Sequence, residues 1–182
     1  MGYELACSTA WNNLQKIPSP PQTLKFLNQI YQLNLQDQTI INTANNKPTK
    51  EFITILLLHY LLGENNVTSI QKDKWISFKS LPGGETYYPA FYARAINPLL
   101  KKYGTNPTAM LEKATQLNAT SGDHGASSII LHPFEKIKVQ AILWPGDDEF
   151  PPEGNMLFTS SIPHILPTED TAVLGGLITG YL

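Results

Sequence analysis

A chain of 182 residues with 42% hydrophobic residues fits one globular domain and is too apolar for a disordered segment. Its formal charge of −2 and isoelectric point near 6.1 give no electrostatic basis for binding nucleic acid or an anionic membrane surface. Charged residues make up only 15%, so Asn, Gln, Ser and Thr supply much of the polar surface.

Cysteine content and apolar runs exclude several further classes of protein. Cys7 is the single cysteine, which excludes an internal disulfide, a zinc finger and an iron–sulfur cluster held by this chain alone. The first residues, MGYELACSTAW, lack the basic start of a secretory signal. The longest apolar run, 52–62, is shorter than the roughly 20 residues that a membrane span needs. We therefore expect a cytoplasmic protein that does not cross a membrane.

The first third of the chain is predicted to contain a helix, a set of strands and a second helix. Apolar residues at helical spacing predict the first helix over residues 3–16. Apolar and polar residues then alternate over 23–41, which predicts two or three short strands. Thr49 is predicted to cap a helix over 50–62 that Gly63 ends. Since this helix is apolar on nearly all sides, we expect it at the centre of the core.

The rest of the chain is predicted to add helices first and strands afterwards. The predicted elements are an extended segment at 75–78, a helix over 85–103 interrupted at Pro89 and near Pro98, a helix over 106–117, strands at 128–131, 137–144 and 155–162, and a C-terminal helix after Pro167. Strands and helices occur in blocks, and neither a repeat nor a linker is visible. The prediction is a single α+β domain, 1–182, in which antiparallel strands pack with the central apolar helix and two to four further helices.

The segment SLPGGETYYPAFYAR, residues 80–94, is the most unusual stretch. Its candidate ligand-binding residues are Gly83, Gly84, Tyr87, Tyr88 and Arg94. The glycine pair precedes a helix start, where free amides can hold an anion, although no nucleotide-binding motif is present. Aromatic residues and arginine dominate binding hot spots, but aromatics at helical spacing are also typical of a core. Core packing and a binding surface both remain open for this segment.

A second candidate is the acidic segment PGDDEFPPEGNMLF, residues 145–158. Asp147, Asp148 and Glu153 could converge on a hard cation such as calcium, although their order does not match an EF-hand loop. The alternative is a strand-to-strand turn with Gly146 and Asp147 at its tip.

The histidines have no spacing typical of a helical metal site. His59 lies within the apolar helix, which predicts a buried, hydrogen-bonded structural residue. His124 follows Asp123 in a glycine-flanked loop, where the carboxylate could orient the imidazole as in an acid–base pair, or the two could simply lie in a flexible loop.

The start of the C-terminal helix supplies the last candidates. Thr168 is predicted to cap this helix, and acids in its first turn complement the positive end of the helix dipole. His164, Glu169 and Asp170 complete the candidate ligand-binding residues. No motif assigns a catalytic residue here.

Five motifs in chain order carry a resemblance to a known family. They are LLHYLL (57–62), WISF (75–78), LPGG with YPAF (81–91), GDDEFPP (146–152) and LPTED (166–170). Over residues 50–182 the chain resembles an uncharacterised domain-of-unknown-function family of anaerobic bacteria and archaea, some members of which carry an extra four-cysteine iron–sulfur module. This chain lacks those cysteines. The resemblance implies a context of anaerobic, corrinoid-linked metabolism, and neither a catalytic residue nor a cofactor.

We therefore expect a non-catalytic domain that binds a small molecule, a cofactor of unknown identity or a partner protein. The expected surface joins the 80–94 segment to the acidic segment and to Glu169 and Asp170. The alternative is an enzyme, such as a metal-assisted hydrolase, that uses Asp147, Asp148 and Glu153 with His124 or His164.

Overall fold

Helices form the larger part of the regular structure, which a computed structural model describes over residues 2–68 and 74–182. The helices are α1 (Gly2–Leu14), α2 (Glu51–Gly63), α3 (Gly84–Phe91), α4 (Asn97–Tyr103), α5 (Pro107–Thr115) and α6 (Thr168–Tyr181). A π-helical segment, Tyr92–Ile96, joins α3 to α4 without a break. Within these described residues, no helix is both long enough and apolar enough to cross a membrane.

The strands form two antiparallel sheets. They are β1 (Thr23–Phe26), β2 (Gln29–Asn34), β3 (Thr39–Asn42), β4 (Lys47–Pro48), β5 (Trp75–Ser77), β6 (Thr120–Ser121), β7 (Ser127–Phe134), β8 (Ile137–Trp144) and β9 (Glu153–Thr159). The first sheet has the order β1-β2-β3-β4, and the second has the order β5-β9-β8-β7-β6. Strands and helices follow in blocks with antiparallel pairing, so the predicted α+β class is confirmed.

Helix α2 lies at the centre of the hydrophobic core, as its apolar circumference predicts. Leu56, Leu57 and Leu58 are fully buried although they are consecutive and point to different sides of the helix. The ring of Tyr60 stacks on Phe134 with centroids 4.0 Å apart. The ring centroid of Phe134, in β7, lies 4.7 Å from that of Phe26, in β1. The same aromatic cluster therefore connects both sheets to α2.

The two ends of α2 differ from the sequence prediction. Thr49 does not cap the helix, because its hydroxyl donates to the Ile40 carbonyl and bonds the Thr54 hydroxyl instead. The residue before the helix is Lys50, which makes no side-chain cap. Gly63 is the last helical residue, and a Cβ there would lie 2.1 Å from the Ile165 carbonyl oxygen. Its lack of a side chain therefore lets the segment before α6 pack directly on α2.

The helix is not interrupted at Pro89, which lies within α3, and the irregular part is the π-helical segment just before Pro98. Proline at position 98 has no N–H to donate to the carbonyl four residues earlier, and the Asn97 N–H bonds the Tyr92 carbonyl in a wider turn. The hydroxyl of Thr179 in α6 donates to the Ala95 carbonyl at 2.9 Å. Helix α6 therefore satisfies backbone that the wide turn exposes.

Helix α6 packs closely along this wide turn. A Cβ at Gly175 would lie 2.7 Å from the Phe91 ring, and one at Gly176 would lie 3.4 Å from the Arg94 carbonyl oxygen. At the start of α6, Thr168 does not cap the helix, since its hydroxyl donates to the Pro82 carbonyl at 2.7 Å. That bond fixes the start of α6 to the segment immediately before α3.

We predict that Gly63→Ala destabilises the protein by about 1–3 kcal/mol, because the added methyl group must displace the Ile165 backbone. The matched control is Gly180→Ala, at a helical position with nothing within 4 Å of the new Cβ. That change should be neutral or stabilise by up to about 1 kcal/mol through helix propensity. Urea denaturation of both variants checks this, and equal free energies of unfolding would contradict the close approach.

Candidate functional site

A cleft of ≈ 460 Å³ opens where α1, α2, α3, the π-helical segment and α6 meet. Its size falls in the range of small-molecule sites. The polar residues that line the cleft are His59, Tyr87, Arg94, Glu169 and Asp170. The less polar lining consists of Tyr3, Ala6, Ile55, Pro167 and Val173. We call this the α6 cleft, since α6 and the residue before it contribute both acids and part of the apolar wall.

His59 and Asp170 form a hydrogen-bonded pair within the α6 cleft. The imidazole Nδ1 lies 2.5 Å from a carboxylate oxygen, with the side chains 30% and 11% exposed. The hydrogen bond to Asp170 raises the pKa of His59, and it outweighs partial burial, which acts in the opposite direction. Asp170 therefore holds the ring in a fixed orientation and favours its protonated form, leaving Nε2 as the other donor.

Tyr87 and Glu169 form a second pair beside the first. The Tyr87 hydroxyl donates to a carboxylate oxygen of Glu169, and this bond raises the pKa of the phenol. Together with the bond from Thr168 to Pro82, it holds the start of α6 against α3. Both acidic residues of the cleft are thus engaged by donors from other helices.

Arg94 is the single arginine of the sequence, and it lines the α6 cleft. It lies in the π-helical segment and is exposed. Within the described part of the chain its guanidinium has neither a hydrogen-bonding partner nor an ion pair. A guanidinium presents five N–H donors in a planar fork that matches a carboxylate or a phosphate. Arg94 is therefore the charged group of this cleft that is free to bind a ligand.

Sequence analysis identified four of these five polar residues but not the complete cleft. His59 is hydrogen-bonded, as predicted, but it lines the cleft and is not buried. Its partner lies 111 residues away, a separation that local patterns cannot connect. The wall from α1, with Tyr3 and Ala6, also went unrecognised. The apolar spacing of this segment predicts only the helix itself, and neither Tyr3 nor Ala6 belongs to a motif that indicates a binding surface.

Several candidate residues have other contacts outside this cleft. Gly83 has the left-handed φ of 71°, which favours glycine, and Gly84 has no space for a Cβ beside the Phe78 carbonyl. The N–H of Gly84 donates to Leu81, so it is not free for an anion. Tyr88 packs on its aromatic neighbours beneath the Lys79 ammonium, 4.4 Å from the ring centre. These residues shape the start of α3.

His164 also lies outside the α6 cleft. It ends the short 3₁₀ turn Ile162–His164 and its side chain is exposed. Its backbone carbonyl accepts a hydrogen bond from the Asn66 amide at 3.0 Å. This hydrogen bond connects the turn that follows α2 to the segment before α6.

The acidic segment forms the loop between β8 and β9, and the structure does not bring it to the α6 cleft. Asp147 accepts bonds from the N–H groups of Glu149 and Phe150 at 2.9 and 2.8 Å, which lowers the pKa of its carboxyl group. Asp148 and Glu153 are exposed. The loop packs beside Gly104, past the end of α4, and none of its residues lines the α6 cleft.

Metal-binding geometry is likewise not found in the described residues. No group of three or more His, Cys, Asp or Glu side chains in ranges 2–68 and 74–182 lies close enough to hold an ion. The arrangement of Asp147, Asp148 and Glu153 is that of a turn held by its own backbone.

We predict that the pKa of His59 lies above 6.5 in the folded protein and falls in Asp170→Asn, which removes the negative charge. The proton bound to His59 therefore stabilises the fold fully below pH 6.5. This contribution to stability disappears as the pH rises through the raised pKa of His59. Histidine NMR titration checks the shift. His132 is the internal control, since partial burial and Lys138 lower its pKa in both proteins. An unchanged His59 titration in the variant would contradict the pairing.

Comparison with known proteins gives a family and no function. The model of the family described as Domain of unknown function (DUF3786) matches residues 12–181. The match includes β1–β4 and part of α1, a region that the five sequence motifs do not reach. The chain has no significant match among curated proteins or among solved structures. Since the family model spans nearly the whole sequence, the chain belongs to the Domain of unknown function (DUF3786) family.

Proposed function

We propose that the α6 cleft binds a small organic carboxylic acid, and that the protein acts as a binding domain rather than as a catalyst. The observation that carries this proposal is the unpaired guanidinium of Arg94 within a partly apolar cleft of ≈ 460 Å³. A carboxylate can accept two parallel hydrogen bonds from this planar fork. The apolar part of the acid would contact Ile55 and Val173.

The charges of the cleft favour an anion at Arg94 and at no other position. Asp170 is occupied by His59, and Glu169 is occupied by Tyr87. Both carboxylates are therefore already solvated by protein donors, which reduces their repulsion of an incoming anion. His59 is held with Nδ1 on Asp170, so its Nε2–H can donate to a second polar group of the ligand.

The cellular setting is also part of this proposal. We place the protein in the cytoplasm and, on the sequence resemblance alone, in anaerobic metabolism. A corrinoid-linked context follows from the same resemblance. A small molecule is the preferred partner over a protein, because the cleft is concave and contains a few convergent polar groups. Neither nucleic acid nor a membrane is proposed as a partner.

General acid–base catalysis in the same cleft is the second candidate function. The observation that favours it is the orientation of His59 by Asp170, an arrangement that active sites use to keep one imidazole nitrogen available. A metal-assisted hydrolase built on Asp147, Asp148 and Glu153 has less support, since these acids do not converge. Catalysis predicts that a bound ligand is converted over time by the parent protein and not by His59→Gln.

We predict that phenylacetate shifts the single arginine Nε–H signal in the NMR spectrum of the protein, because the carboxylate hydrogen-bonds the guanidinium. Phenylacetamide, which has the same shape without the charge, should leave that signal unchanged. In Arg94→Gln we expect phenylacetate binding to weaken by about tenfold or more.

The protein control for this titration is Lys101→Gln, which removes a positive charge on the exposed side of α4. It should bind phenylacetate as the parent does. A series of monocarboxylates from acetate to decanoate extends the test to other apolar bodies. If no member of the series perturbs Arg94 or its cleft neighbours at millimolar concentration, the carboxylic-acid proposal is wrong.

A further inference from the structure

The five-stranded sheet has a second polar pocket on the side opposite to its buried face. Val139 pairs with Phe158, and both are fully buried in the core. Because successive side chains of a strand alternate, Lys138 and Thr159 project to the other side of the sheet. Trp75 pairs with Thr159 and therefore shares that side. This outer side holds a pocket of ≈ 450 Å³.

The loop between β6 and β7 forms one wall of the pocket. Asp123 and His124 in this loop lie 2.8 Å apart, and both line the pocket. The neighbouring Gly122 approaches the sheet so closely that a Cβ would lie 2.4 Å from the Gln140 side-chain nitrogen. The loop is thus held against the outer side of the sheet.

Among the described residues that line it, the pocket carries more positive than negative charge. Lys74 and Lys138 line it, and neither side-chain ammonium group has an ion pair or a hydrogen-bonding partner in the described part of the chain. Asp123, the one carboxylate among the described lining residues, already pairs with His124. Partial burial and, after it, the positive charge of Lys138 lower the pKa of the nearby His132. Two ammonium groups are therefore available to an anion.

A buried hydroxyl without a partner adds an independent indication of a ligand. Thr159 lines the pocket, is only 2% exposed, and its Oγ1 has no hydrogen-bonding partner in the described structure. A buried hydroxyl without a hydrogen-bonding partner destabilises the fold, so a native structure rarely retains one without a reason. A bound ligand that accepts from this hydroxyl would remove that cost.

We propose that this pocket binds the phosphate group of a phosphorylated small molecule, with Lys74 and Lys138 at the phosphate and Trp75 beside a planar part of the ligand. Lysine ammonium groups bind phosphate as point charges and need no fixed fork geometry. The indole of Trp75 is half-buried and offers a face for stacking. The inference is independent of the α6 cleft, with which this pocket shares no lining residue.

The test is an NMR titration of the full chain with phenyl phosphate, inorganic phosphate and phenol. Of the three tryptophan indole signals, that of Trp75 should shift with phenyl phosphate, whereas that of the buried Trp11 should not. The double variant Lys74→Gln/Lys138→Gln should bind phenyl phosphate about tenfold or more weakly. Lys101→Gln, which removes one positive charge outside the pocket, is the control and should bind normally.

Each outcome of the titration decides part of the proposal. Tighter binding of phenyl phosphate than of inorganic phosphate supports a phosphorylated molecule, whereas equal binding overturns the role of Trp75. Equal affinities of the parent and the double lysine variant overturn the site itself. The same conclusion follows if neither phosphate shifts the Trp75 signal.

We predict opposite effects of Thr159→Val on stability and on binding. Valine has the same shape without the unsatisfied hydroxyl, so the melting temperature should stay equal or rise. Phenyl phosphate binding should weaken, because the ligand loses a hydrogen bond. Calorimetry measures the melting temperature, and the phenyl phosphate titration measures binding. A lower melting temperature with unchanged binding would mean that the hydroxyl stabilises the fold and does not contact the ligand.

Discussion

Burial of α2 on all sides is the constraint on which the rest of the fold depends. A helix with consecutive buried leucines must be covered by other elements around its whole circumference. Helix α1, the sheets and α6 provide that cover, and Gly63 allows the segment before α6 to reach the helix backbone. This packing places His59, a polar residue on an apolar helix, against Asp170 at the start of α6. The position of the α6 cleft follows from how the core is closed.

The chemistry of the cleft depends on which charges remain without partners. Asp170 is hydrogen-bonded to His59, and Glu169 is hydrogen-bonded to Tyr87. These contacts fix the first turn of α6 and give both carboxylates of the cleft a partner. Arg94 lies in the π-helical segment that α6 supports through Thr179, and its guanidinium has no such partner among the described residues. A binding role for the cleft follows from this difference between paired and unpaired groups.

Local patterns predicted most of the fold, whereas the site needed long-range packing. Alternation and helical spacing placed the strands and α2, since these patterns report burial directly. The capping predictions at Thr49 and Thr168 were wrong, because both hydroxyls have tertiary partners that compete with the helix amides. The aromatic segment could be read as core or as surface, and it is both, with Phe91 buried and Tyr87 exposed. No local pattern connects His59 to a carboxylate 111 residues away.

The most direct measurement is chemical modification of Arg94 by phenylglyoxal, followed by mass spectrometry of the intact chain. With one arginine in the sequence, the mass change reports this cleft alone. An accessible, unpaired guanidinium predicts ready modification that phenylacetate slows and phenylacetamide does not. If neither phenylacetate nor any other acid of the monocarboxylate series slows the modification, Arg94 is not a carboxylate-binding residue.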